Sequence, residues 1–181
     1  MLALGLASYL SLYPALLLPP LVLLCYDCQT RAAKRPHSVT SAAAMYTSVF
    51  SASIAWFLYV SSVIASGSWE FLSSTYGVHL LLPDLTPNVG LWWYFFIEIF
   101  DSFREFFLGV FWLHLGSYVG GLCIRLRKQP LFIIATLLGI FAIFKPYPSL
   151  SDTSLYFAML PLYRHIFPRK SYSSLTRSQP R

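Results

Sequence analysis

From Met1 to Tyr26 the chain carries no charged side chain; Asp27 is the first. An α-helix needs about 20 consecutive apolar residues to cross the hydrocarbon core of a bilayer, and this opening run is long enough to supply them. A cleaved signal peptide would show a basic leading region and a shorter apolar core, and neither is present. Pro14, Pro19 and Pro20 lie inside the run. A span over about 2–25 is therefore expected to be kinked or broken, which a membrane bundle accommodates when neighbours satisfy the freed carbonyls. The rest of the chain is in keeping: 56% of its 181 residues are hydrophobic, 18% aromatic and 11% charged, and the mean hydropathy is +0.59. Soluble domains carry about 25% charged residues, so the sequence reads as an all-α, polytopic integral membrane protein.

Further spans are expected over about 42–64 and 106–124. The first is rich in Ser and Ala, and the second carries Gly109, Gly116, Gly120 and Gly121; small residues let helices approach closely in lipid. The run 131–146 is short for a span unless it is re-entrant or Lys145 snorkels, and 153–163 reads as a half-helix. Residues 168–181, PRKSYSSLTRSQPR, form a basic Ser-rich tail of the composition that stays disordered. The net charge of +6 is concentrated at the ends of apolar segments, around Arg31, Lys34 and Arg35 and around Arg125, Arg127 and Lys128. That placement is the excess of cations on cytosolic loops and argues against nucleic acid as a partner. It puts the loops near 31–35 and 125–128 in the cytosol and the segment from Ser66 to Glu105 on the opposite, lumenal side. A lumenal N-terminus would follow, and with it the expectation of further spans upstream.

The segment TPNVGLWWYFFIEIFDSFREFF, residues 86–107, puts Glu98, Asp101, Arg104 and Glu105 into a strongly aromatic run. Pro87 and Asn88 signal a turn or a helix start, and a helix is expected from Leu91 onward. On one continuous helix, Glu98, Asp101 and Glu105 would share a face, with Arg104 placed to pair with Asp101. A charge at mid-bilayer costs about 2.5–3.5 kcal/mol, so this helix is expected to lie along the lumenal interface and lead into the third span. Trp92, Trp93 and Tyr94 suit an interfacial belt. Its acidic face serves either solvation or contact with a lipid-linked sugar or a partner subunit. A second constellation, IFKPYPSLSD at 143–152, is a rigid extended turn around Tyr147 with Lys145 and Asp152 at its two ends. Lys145 would meet a phosphate or snorkel.

These residues do not make up a catalytic set. There is no DxD or HExxH, and His37, His79, His114 and His165 are scattered. Cys25 and Cys28 form a lone CxxC at a span boundary, and Cys123 completes no disulfide framework. Spans almost free of charge also argue against a channel or transporter. An alternative is a lipid-dependent glycosyltransferase in which Asp84, Glu98 or Asp101 acts as the base.

SLYPALLLPP at 11–20, SWEFLSSTYG at 68–77, PDLTPNVGLWWYFF at 83–96, IFKPYPSLSD at 143–152 and LYFAMLPLYRH at 155–165 resemble, in order and spacing, the PIG-U family of glycosylphosphatidylinositol (GPI) transamidase subunits. The resemblance covers about Ser11 to Phe167, and the tail does not share it. It implies an endoplasmic-reticulum membrane protein whose bundle is similar to part of a GT-C-type membrane domain with lumenal interfacial helices. It also implies a non-catalytic role, supporting assembly and presenting the GPI lipid, with the cysteine-protease-like chemistry in another subunit and no cofactor. The implied partners are the other transamidase subunits and the GPI glycolipid. Members are longer, with spans before and after this region, and a stretch around the charged aromatic segment has been likened to a fatty-acid elongase, implying contact with acyl chains. On this basis the candidate lipid or subunit contacts are Asp84, Asn88, Trp92, Phe95, Phe96, Glu98, Asp101, Lys145, Tyr147 and Asp152.

Overall fold

The computed structural model describes residues 1–33, 38–77, 80, 86–99 and 101–164, and among them every regular element is helical. The opening run forms two helices: α1, Leu2–Leu10, and α2, Leu18–Ala33, joined through a 3-10 turn, Tyr13–Leu17. Ser11 takes an extended conformation (φ −153°, ψ 137°) and ends α1. Pro14 opens the 3-10 turn, and Pro19 and Pro20 fall in the first turn of α2, where a missing N–H has no helical partner to lose.

The break is a reversal of direction. In α3, Val39–Ile64, Ser53 lies against Gly5, while Ser61 bonds Tyr9 and Phe57 packs on the same ring. Ascending residues of α1 therefore meet ascending residues of α3, and the two run parallel. By contrast, Tyr46 near the start of α3 donates to Gln29 near the end of α2, 3.1 Å away, so α2 runs antiparallel to α3. The stretch 2–25 is thus a hairpin whose first arm lies beside the second half of α3, rather than one kinked rod. Pro14, Pro19 and Pro20 remove three of the backbone donors that a continuous helix would need here.

Contact between α1 and α3 depends on Gly5. A Cβ there would stand 1.9 Å from Ser53 Oγ and 2.9 Å from Ser53 Cβ, and the Ser53 hydroxyl is already committed to the Phe50 carbonyl at 2.7 Å. Gly5→Val is expected to destabilise the chain by about 1–3 kcal/mol through overpacking. Denaturant unfolding in micelles checks this, and an unchanged midpoint would show that α1 is not seated here.

The aromatic run also divides. Helix α4 spans Leu91–Glu98 and α5 spans Asp101–Arg125, with Ile99 extended between them (φ −88°, ψ 137°). This corrects the expectation of one helix from Leu91 onward. Glu98 is the last, exposed residue of α4, and Glu105 is exposed on α5; the i, i+3, i+7 face does not exist. The reason is aromatic packing. Folding back at Ile99 sets Phe95 5.3 Å from Phe107 and 5.2 Å from Phe111, and Trp92 4.3 Å from Phe111, at centroid distances where rings attract.

Helix α6, Pro130–Phe144, starts with proline at its first position and stops at Lys145, because Pro146 bars helical conformation in the residue before it. Helix α7, Leu150–Met159, continues through a 3-10 turn, Leu160–Tyr163, and folds back along α6. Tyr156 covers Gly139 and Tyr163 meets Phe132 at 5.8 Å. The main core lies between the first reversal and α5–α6: Tyr13, Leu115, Val119, Ile133, Leu137 and Phe141.

Helices α3 and Ser102–Arg125 are long and apolar enough to cross a membrane, with 17% and 11% of their most apolar windows buried within the chain. Trp56, Tyr59, Val63 and Leu113 are among the large apolar side chains left outside. In water such surface would be unfavourable by about 25 cal/mol per Å². This is a helical membrane bundle.

Candidate functional site

The two constellations far apart in sequence, residues 86–96 and 143–152, meet at one end of the bundle. Helix α6 ends with carbonyls that no helical N–H can reach. The Trp92 indole N–H donates to one of them, Phe144 O, and Trp92 is itself fully buried. Asn88 takes the next accessible carbonyl, donating from Nδ2 to Pro146 O at 3.3 Å while its Oδ1 accepts from Gly90 N at 2.7 Å. Gly90 then passes close to the loop: a Cβ would lie 2.7 Å from Pro148 Cδ. Tyr147, like Phe95, packs on the cluster built around Trp92, Phe96 and Leu108.

The loop is closed from within by an ion pair. Lys145 Nζ lies 2.8 Å from Asp152 Oδ1, both side chains less than a fifth exposed. Asp152 Oδ2 accepts from Ser149 N at 3.0 Å and lies 2.7 Å from Ser149 Oγ, while Ser149 Oγ accepts from Asp152 N at 3.4 Å. Ser149 and Asp152 therefore form a reciprocal capping box at the start of α7. The Lys145 ammonium also stands 5.7 Å from the Tyr13 ring centre, within reach of its π face. Lys145 is thus held inside the loop.

Burial alone pushes the Asp152 carboxyl up, but the hydrogen bonds from Lys145 and Ser149, with the lysine charge, outweigh it and leave the group below the ordinary aspartate value. Its stabilisation is fully present above that ordinary value and is lost as pH falls through the lowered one. Acidification from neutral to about pH 5 should leave stability untouched, and a loss should begin only below about pH 4. The difference between parent and Asp152→Asn in the pH dependence of the unfolding midpoint measures this.

Of the residues expected from sequence, Asn88, Trp92, Phe95, Phe96, Lys145, Tyr147 and Asp152 come together here. Glu98 points away, exposed at the far end of α4. Asp84 lies outside the described residues, and so does the Asp101 side chain. Sequence reasoning missed Tyr13, Gly90 and Ser149. Only Ser149 had a signal, the S-x-x-D spacing of a cap ahead of an apolar stretch; Tyr13 and Gly90 become partners only through the fold. Among the described residues no three His, Cys, Asp or Glu side chains group as metal ligands.

Two clefts adjoin this clamp. One, of about 480 Å³, opens beside Gly90, Tyr94, Pro148, Ser149 and Thr153. It shares Ala142, Ile143 and Thr153 with a second, of about 570 Å³, that runs between α6 and α7 past Gly139 and Tyr156 to Tyr163. The first mixes Tyr94, Ser149 and Thr153 with Val89, Leu91 and Leu150, and the second is walled mainly by aliphatic and aromatic side chains.

Fold and site define a helical membrane protein in which an aromatic helix clamps a proline-rich loop above an apolar cleft. The model of the family described as GPI transamidase subunit PIG-U matches residues 1–178, somewhat more than the Ser11–Phe167 over which the motifs were legible. The chain belongs to the PIG-U family. It is 37% identical over 169 residues to the GPI-anchor transamidase component PIGU of Mus musculus, which covers 91% of this chain and 38% of that protein. Similar figures hold for the GPI-anchor transamidase component PIGU of Homo sapiens, 36% over 165 residues, with 91% and 38% covered. The GPI transamidase component GAB1 of Saccharomyces cerevisiae is 34% identical over 163 residues, with 90% and 39% covered. The chain thus spans about two fifths of the length of these relatives.

Proposed function

We propose that this chain provides part of the membrane portion of a GPI transamidase complex in the endoplasmic reticulum, crossing the membrane more than once. In this reading it supports assembly with the other subunits and presents the GPI lipid, while another subunit performs the transamidation. The observation that carries the reading is the family match over residues 1–178, joined to relatives named as transamidase components.

The geometry supports a lipid-presenting role in one respect. A cleft that carries Ser149 and Thr153 shares a wall at Ala142, Ile143 and Thr153 with a more apolar one between α6 and α7, an order that would suit the head group and acyl chains of a glycolipid. With the basic loops in the cytosol, the clamp and the cleft beside Ser149 would lie on the lumenal side. Of the carboxylates offered for a glycosyltransferase base, Glu98 is exposed at the end of α4 and lines neither cleft, while Asp84 and the Asp101 side chain lie outside the described residues.

Affinity purification of the tagged chain from endoplasmic-reticulum membranes tests the proposal. Recovery of the other transamidase subunits is expected; a stably inserted chain recovered without them would overturn it. Glu98→Gln is expected to leave both recovery and transamidation unchanged. A loss of turnover of about 10²-fold or more with assembly intact would restore a catalytic reading.

A further inference from the structure

The opposite end of the bundle holds a second pair of adjoining clefts that the clamp does not use. They measure about 570 and 600 Å³ and share Asp27, Arg31 and Lys128. Arg31 comes from the last turn of α2, and Lys128 from the link between α5 and α6. The larger cleft adds Arg127 and Thr30. The other continues onto Leu24, Leu131 and Phe132.

Three cations thus face one carboxylate, and the ion pair Lys145–Asp152 lies far away at the other end of the bundle. Asp27 does not neutralise them by direct contact. Thr30 contributes a hydroxyl that is buried and has no hydrogen-bond partner among the described residues. A cationic recess between membrane helices, with a free hydroxyl and an apolar exit, suits a phosphate carried on acyl chains. Basic pockets between helices on the cytosolic side take lipid head groups in this way, and guanidinium groups bind phosphate oxygens with charge-assisted hydrogen bonds.

The geometry points to a binding site for an anionic glycerophospholipid in the leaflet at this end, its phosphate held by Arg31, Arg127 and Lys128 and its acyl chains along Leu24, Leu131 and Phe132. The lipid would join α2 to the α5–α6 link, two segments that no ion pair among the described residues connects. The phosphate end of the site lies at the other end of the bundle from the clamp, and its apolar exit meets the far end of the α6–α7 cleft at Phe132 and Tyr163.

The rival account is that these cations only set topology. Arg125 separates the two, because it is exposed at the same end yet lines neither cleft. The full chain is placed in nanodiscs of phosphatidylcholine doped with phosphatidylglycerol, and the lipid retained on release is counted by native mass spectrometry. Phosphatidylglycerol is expected to be enriched over phosphatidylcholine. Each of Arg31→Gln, Arg127→Gln and Lys128→Gln should weaken retention about fivefold, and Arg125→Gln should leave it unchanged. Melting in pure phosphatidylcholine identifies any variant that fails to fold; Lys128→Gln, exposed and in a loop, is the fallback that carries the test alone. Equal retention of the two lipids, an equal loss in Arg125→Gln, or complete displacement by inorganic phosphate would each overturn the proposal.

Discussion

Trp92→Ala is expected to destabilise the chain by about 3–5 kcal/mol, the range for truncating a large buried aromatic side chain. Three losses coincide. The indole is fully buried, its ring anchors the contact of α4 with α5 through Phe111 at 4.3 Å, and its N–H satisfies the Phe144 carbonyl at the end of α6. Trp92→Phe separates them, because it keeps most of the ring packing and removes only the donor. It should cost about 1–3 kcal/mol, the penalty for a buried polar group left unpaired. Denaturant titration followed by circular dichroism measures both variants. A Trp92→Ala cost below about 1 kcal/mol would mean that the clamp does not hold α4 in place.

Asp152→Ala is expected to follow, at about 2–4 kcal/mol, since a cap contributes about 0.5–2 kcal/mol and hydrogen bonds to charged groups about 1.5–3 kcal/mol. The two roles share one side chain, so the values do not add in full. Lys145→Met removes the ion pair while leaving the Ser149–Asp152 cap in place, and should therefore cost less. In a double-mutant cycle Asp152→Ala and Lys145→Met are expected to couple by about 0.5–3 kcal/mol. Independent effects would show that the 2.8 Å contact does not hold the loop together.

The end of α6 at Lys145 was readable from Pro146, and the start of α7 was readable from Ser149 and Asp152, because proline geometry and capping are local. The reversal after α1 was only half readable. Pro14, Pro19 and Pro20 announce a break, but a break is compatible with a kink as well as a hairpin. The choice lies in the fit of Gly5 against Ser53, which no spacing encodes. The division of the aromatic run at Ile99 was not readable. Periodicity continues smoothly through Glu98 and Asp101, and what stops the helix is the gain from stacking Phe95 and Trp92 on Phe107 and Phe111.

The sequence by itself determined the environment and the class. Uncharged runs, cations gathered at their ends and a proline-rich loop follow from one-dimensional patterns, since bilayer insertion and proline stereochemistry act on neighbours in the chain. Its motifs also carried the family. Tertiary structure alone decided that PNVGLWWYFF and KPYPSLSD are one site. The residues at 88–96 and 144–148 are brought together by the packing of α4 on α5 and of α5 on α6. The orphaned carbonyls at the end of α6 then find their donors in Trp92 and Asn88. A hydrogen bond across some fifty residues depends on where two helices end in space, and that is set by the whole core.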